Sequence, residues 1–87
     1  MQALQFADQR KWPEAMHVLQ VLFKSHPRDR RIQAYAHYIR GREYESVGNT
    51  ASARTEYERV LSIDPTLEAA QRALSQLGGR GSPPKKR

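Results

Sequence analysis

The apolar residues of this chain recur at helical spacing in five segments, which proline and glycine residues separate. In the second segment Ala15, Leu19, Leu22 and Phe23 fall on one side of a helix with about 3.6 residues per turn. No segment alternates between apolar and polar residues, as a half-buried β-strand would. The pattern therefore predicts an all-α fold of five helices joined by short turns.

Prolines and glycines mark where these helices begin and end. Pro27 and Pro65 stop the second and fourth helices, because a residue that precedes proline avoids helical backbone geometry. Gly48 is the expected C-terminal cap of the third helix, and Asn49 is a suitable N-cap for the fourth. Residues 78–87, GGRGSPPKKR, contain no apolar side chain that could join a core, so they are predicted to form a disordered basic tail.

The second and fourth helices belong to an internal repeat. Pro27 follows Ala15 by 12 positions, Pro65 follows Ala53 by 12, and the two copies are offset by 38 residues. Further matched pairs are Ala3 with Gly41, Phe6 with Tyr44, Leu19 with Tyr57, Leu22 with Val60 and Phe23 with Leu61. A fixed offset of this size is typical of stacked helical repeats.

The repeated positions resemble the tetratricopeptide repeat, a helix–turn–helix unit of about 34 residues. The residues that carry the resemblance are Trp12, Ala15, Pro27, Gly41, Tyr44, Gly48, Ala53, Tyr57 and Pro65. The resemblance implies a right-handed superhelix of antiparallel helix pairs, in which small residues let two helices approach and aromatic residues fill the space around them. The longer offset implies about four extra residues, which we expect around 28–31 at the start of the third helix.

The predicted domain covers residues 1–77, with repeat one at about 1–29, repeat two at about 34–67 and a capping helix at about 66–77. Stacks of fewer than about three repeats are difficult to stabilise. We therefore expect either the C-terminal part of a larger scaffold or adaptor protein, or a unit that pairs with an identical chain.

The charge balance points weakly to an acidic partner. The chain has a formal charge of +6, but residues 78–87 carry four of its 15 basic residues and no acid, which leaves +2 elsewhere. The arginine-rich stretch at 24–42 could bind a polyanion such as nucleic acid, although a run of charge more often only faces water. Nucleic-acid binding is therefore kept as an alternative function that we do not favour.

Neither catalytic chemistry nor a membrane anchor is predicted. The histidines lack metal-ligand spacing, and the chain has neither a nucleophile elbow nor a glycine-rich phosphate loop. We therefore expect no enzymatic activity and no cofactor. Apolar runs are too short to span a bilayer, and the polar and charged residues at 8–11 interrupt any signal-peptide core. We expect a cytoplasmic protein.

One face of the third helix is the predicted binding surface. Tyr35, Tyr38, Arg42 and Glu45 follow i, i+3, i+7 and i+10, so they share a face. The resemblance places this face in a concave groove, which Arg72 would line from the last helix and Leu4, Ala7 and Asp8 from the first. Tyrosine and arginine are enriched in binding hot spots, although Tyr35 and Tyr38 could equally cover the edge of the core.

The predicted function is a protein–protein interaction module that binds a peptide or helix of its partner in this groove; self-association of the domain is a further alternative. Some tetratricopeptide domains hold a C-terminal carboxylate with lysine, asparagine and arginine. Here Arg42 and Leu4 replace two of the matching residues and only Arg72 fits, so that clamp is not predicted intact. An acidic group near Arg42 and Arg72 is still expected.

Overall fold

The computed structural model describes residues 2–81, which form five helices and contain no strand. The helices are α1 (Gln2–Asp8), α2 (Trp12–Ser25), α3 (Arg30–Ser46), α4 (Thr50–Ile63) and α5 (Glu68–Gly81). The prediction of an all-α helical repeat is confirmed. Pro13 lies in the first turn of α2, where the missing N–H costs no hydrogen bond.

Each helix packs against the next one along the chain, and α1 also reaches α3. The stack measures 46 × 24 × 17 Å. Small residues dominate the contacts, which lets the helix axes approach closely. The alanines that are completely buried are Ala3, Ala7, Ala15, Ala34, Ala53 and Ala70. The largest fully buried side chains are Tyr57, Leu19, Ile39 and Val60.

The tightest approach between α3 and α4 lies at Gly41. A Cβ atom at this position would stand 2.5 Å from Cε1 of Tyr57, whose side chain is completely buried. The Tyr57 hydroxyl donates a hydrogen bond to the Glu45 carboxylate. Burial and the neighbouring carboxylate both raise the pKa of the Tyr57 phenol, so it remains a donor at neutral pH. The predicted close approach at Gly41 is therefore present, with an aromatic ring as its partner.

The resemblance implied that Tyr44 fills the space between the paired helices, but the structure places it elsewhere. Its side chain is 37% exposed. It follows Gly41 by three residues, which turns it about 60° away from the Gly41 direction around the helix. The space beside Gly41 is already occupied by the Tyr57 ring, so Tyr44 lies at the outer edge of α3.

The two turns within the helix pairs share an unusual backbone conformation. Arg10 has φ 61° and Gly48 has φ 81°, and these residues stand 38 positions apart in equivalent turns. Arginine therefore adopts a left-handed conformation that glycine adopts without steric cost. After the second turn, the Asn49 side chain accepts a hydrogen bond from the Ser52 N–H at 3.2 Å, as expected of an N-cap.

Helix α3 begins early, and the additional turn contributes to the core. It starts at Arg30, four residues before the predicted start of repeat two. Asp29 caps it by accepting a hydrogen bond from the Arg31 N–H at 3.0 Å, and the hydrogen bonds from Arg31 lower the pKa of the Asp29 carboxyl. Ile32 in this turn is buried. The extra residues of the longer offset thus form helix rather than loop.

The bounds of α5 differ from the predicted 66–77. The helix begins at Glu68 because the Asp64 side chain accepts a hydrogen bond from the Thr66 N–H at 3.1 Å and holds a turn there. It ends at Gly81 rather than at Leu77. Glycine weakens a helix by about 1 kcal/mol per residue without forbidding it, so the helix continues into the segment predicted to be disordered. Residues 82–87 of that predicted tail lie outside the described residues.

Replacing Gly41 with alanine should destabilise the domain by about 1–3 kcal/mol, the usual cost of overpacking a core. An added methyl group would overlap the buried Tyr57 ring. Urea unfolding of the two proteins, followed by circular dichroism, measures the difference. Because alanine is the better helix former by about 1 kcal/mol, a neutral or stabilising result would contradict the close contact. The double variant Gly41→Ala with Tyr57→Leu should lose less stability than the sum of the losses in the two single variants.

Replacing Arg10 with glycine should stabilise the domain by about 0.5–1 kcal/mol, because it relieves the left-handed backbone strain of a residue with a Cβ atom. Gly48→Ala is the matched reciprocal change and should destabilise by a similar amount. Thermal unfolding of both variants provides the comparison. A loss of stability in Arg10→Gly would show that its side-chain contacts outweigh the strain.

Candidate functional site

A groove between α3 and α5 brings together most of the predicted binding residues. Its volume is about 310 Å³, and we call it the inner groove. The residues that line it are Tyr38, Arg42, Glu45, Ala69, Arg72, Ala73 and Gln76. Four of the five predicted partner-binding residues are among them. Ala69, Ala73 and Gln76 were not predicted; they repeat at intervals of three and four residues around Arg72, which is the signal that would have found them.

Arg42 is held in a defined position at one side of the inner groove. Its Nη1 atom donates hydrogen bonds to Asp8 Oδ1 and to the Tyr38 hydroxyl, both at 3.2 Å. The guanidinium carbon lies 5.8 Å from the centroid of the Tyr38 ring. Partial burial opposes the charged form, but these hydrogen bonds prevail and raise the pKa of Arg42. The groove therefore contains a permanent, positioned positive charge.

The tyrosines of α3 do not contribute in the way the spacing predicted. Tyr38 is only 7% exposed, and its ring packs against that of Tyr57 with centroids 5.8 Å apart. Its ring therefore belongs to the core, and the edge that carries the hydroxyl faces Arg42. Tyr35 lies one turn earlier and borders a separate depression beside Leu22. Ala7, expected to line the groove, is completely buried, because α1 packs it against the neighbouring helices.

A second, polar depression adjoins the inner groove. It shares Arg42 and Glu45 with that groove and is completed by Arg10, Trp12 and Ser46, with a volume of about 290 Å³. Arg10 comes from the strained turn after α1, so the turn adds a cation to this side of the molecule. Arg10 was not among the residues predicted to line a binding surface. Its proximity to Arg42 follows from the way α1 packs against α3.

His37 lies between α3 and α4 and contacts a buried carboxylate. Its Nδ1 atom lies 2.7 Å from Oε1 of Glu56, a carboxylate that is 8% exposed between α3 and α4. Arg59 approaches the other oxygen of Glu56 at 3.6 Å. Among the residues that the structure describes, no three histidine or acidic side chains gather in a way that could hold a metal ion.

Residues 34–67 match the family model of the tetratricopeptide repeat. The chain carries a tetratricopeptide repeat. The matched range has the bounds predicted for the second repeat, and it contains Gly41, Tyr57 and the whole turn at Gly48. A tetratricopeptide repeat indicates a protein–protein interaction module, built on a fold that serves binding rather than catalysis. No curated protein and no solved structure matches the chain.

Within residues 2–81, no helix is both long enough and apolar enough to cross a membrane.

The arginines of the 24–42 stretch are distributed over different surfaces. Arg31 pairs with Asp29 at the start of α3, whereas Arg42 pairs with Asp8 at the inner groove. Arg31 and Arg42 therefore lie at separate surfaces of the domain.

Replacing His37 with leucine should destabilise the domain by about 1–3 kcal/mol, because it removes a hydrogen-bond partner from a buried carboxylate. The double replacement His37→Leu with Glu56→Leu should cost less than either single change, since no buried polar group is then left unpaired. Chemical unfolding of the three variants measures this coupling. Additive losses in the double variant would contradict the interaction.

Proposed function

We propose that the domain binds an acidic peptide or helix of a partner protein in the inner groove. The observation that carries the proposal is the meeting of Arg42 and Arg72 from two helices across one groove with a narrow alanine floor. The tetratricopeptide repeat supports a protein ligand rather than a small molecule.

The floor of the groove suits a segment of backbone. Ala69 and Ala73 lie one turn apart on α5 and project little beyond the helix, so a ligand main chain can lie close to them. Arg72 and Gln76 stand on the same helix and offer hydrogen-bond donors above this floor. A peptide with a carboxylate near its middle would place that group between Arg42 and Arg72.

Pre-positioning strengthens the contribution of Arg42. Its contacts with Asp8 and Tyr38 restrict the side chain before the ligand arrives, which reduces the entropy lost on binding. Asp8 already neutralises part of the charge, so Arg72 is the cation better able to bind a new carboxylate. Arg72 is exposed, and no carboxylate of the described side chains lies within salt-bridge distance of it.

Arg72→Glu should weaken the binding of an acidic probe by about 5-fold or more, because it replaces an attractive charge with a repulsive one. The probe is a fluorescein-labelled synthetic peptide of aspartate and leucine residues, measured by fluorescence anisotropy with the whole chain. Arg30→Glu, an exposed substitution outside the groove, is the control for net charge.

Tyr38→Phe should also weaken this binding, by about 2-fold to 5-fold, because it removes the hydroxyl that holds Arg42 while leaving the ring in the core. Circular dichroism at the same temperature checks that the variants remain folded.

Equal losses in Arg72→Glu and Arg30→Glu would show that only net charge matters and would overturn the assignment of the groove.

A further inference from the structure

The side of α3 that faces away from the inner groove carries a second groove, between α2 and α3. We call it the outer groove; its volume is about 330 Å³. Its apolar lining includes Met16 and Phe23 from α2 and Ile32 and Ala36 from α3, and its basic residues are Lys24 and Arg40. Around α3, the mean direction of Ala36 and Arg40 lies about 170° from that of Arg42 and Glu45, so the two grooves lie on opposite sides of the helix.

Part of the outer groove lies outside the matched repeat. Ile32 belongs to the extra helical turn that precedes the matched repeat at 34–67. The α2 wall also lies outside that match. The 38-residue offset therefore lengthens α3 and provides one end of the groove, which a 34-residue unit would leave out.

The apolar surface continues beyond the groove along α3. Arg40 also borders a depression that contains Glu43, Tyr44 and Val47. Phe23, Tyr44 and Val47 are three of the four large hydrophobic side chains that are exposed in the described residues. This surface forms a strip along α3 from Ile32 to Val47. The strip is about 22 Å long, which is the length of four turns of helix. Exposed apolar residues gathered in one strip mark an interaction surface more often than scattered ones do.

The charges indicate what kind of partner fits. Lys24 and Arg40 border the outer groove, and no acidic residue lines it. Among the described side chains, neither cation has a carboxylate within salt-bridge distance. Glu43 lies only at the far end, beside Tyr44 and Val47. A ligand should therefore carry carboxylates that can reach both Lys24 and Arg40. A second copy of this chain, with its formal charge of +6, is the less suitable occupant because like charges repel.

We propose that the outer groove and the strip along α3 bind an acidic amphipathic helix of a partner protein. Its apolar side chains would enter the groove over Ala36 and contact Phe23, and its carboxylates would pair with Lys24 and Arg40. The volume of about 330 Å³ is at the small end for a ligand pocket, which suits one or two side chains of a docked helix. The surface is separate from the inner groove, so one chain can hold two partners.

A charge-swap experiment tests the proposal. The probe is a labelled synthetic helix of about 14 residues, with leucines at i, i+3, i+4 and i+7 and glutamates on both sides of the leucine stripe. Its counterpart carries lysines in place of those glutamates. The whole chain should bind the acidic helix about 5-fold or more tightly than the basic one. The double variant Lys24→Glu with Arg40→Glu should reverse that preference, since two charge pairs change from attractive to repulsive.

The matched control is Lys11→Glu with Arg30→Glu. It makes the same change in net charge at two exposed positions outside both grooves, and acidic residues are favourable at these helix N-termini. It should change the affinity of either helix by less than about 2-fold, because the remaining effect is screened by salt. Equal effects of the two double variants would overturn the proposal and leave only a general charge effect.

Amide chemical shifts of the labelled chain locate the bound helix. Changes centred on Gln33, Ala36 and Arg40 would support the proposal. Changes centred on Arg72 and Gln76 would overturn it and assign the acidic helix to the inner groove instead. Sedimentation of the chain without a probe tests whether a second copy occupies the outer groove. A dimer that Phe23→Ser dissociates would overturn the assignment of this groove to a different protein. Phe23 is partly exposed, and thermal unfolding checks that the variant remains folded.

Discussion

The contact between the Tyr57 ring and the bare backbone of Gly41 is the constraint on which the helix pair α3–α4 depends. Because Gly41 has no side chain, α4 comes close enough to α3 for the ring to be completely enclosed. The same approach places the Tyr57 hydroxyl against Glu45 and the ring against Tyr38. Glu45 and Tyr38, which line the inner groove, are thus positioned by one contact in the core.

Helix α3 carries the functional organisation of the domain because it is the helix with neighbours on several sides. Its contacts with α1 and α4 position Arg42 and Glu45 at the inner groove. Its contact with α2 forms the outer groove, whose exposed rim includes Arg40. The polar interior pair of His37 and Glu56 stands between these surfaces and ties α3 to α4 without exposing the carboxylate. A single helix therefore supplies two faces of different chemistry: the inner one is mostly polar, and the outer one is largely apolar with Arg40 at its rim.

Local signals in the sequence were enough to predict most of the fold. Prolines at 27 and 65, Gly48 and Asn49 act on the backbone next to them, so their effects do not depend on the rest of the molecule. The internal offset also predicted an early start for α3. The end of α5 was predicted less well, because glycine disfavours a helix only slightly and cannot define where it stops. The binding residues spaced along α3 were predicted as a set, yet Tyr35 lies apart from the other three.

The sequence by itself determined the number of helices, the repeat and the small residues Gly41 and Ala53 of the second helix pair. These features depend on periodicity and on backbone preferences. Only the tertiary structure decided which aromatic residues are enclosed. Tyr44 and Tyr57 both carry the resemblance to the repeat, and Tyr38 was predicted to face the groove. Tyr38 and Tyr57 are buried and Tyr44 is not, because enclosure depends on whether a second helix lies opposite each ring. The same reason explains the meeting of Asp8 with Arg42 and of His37 with Glu56, pairs distant in sequence that become neighbours only when the helices stack.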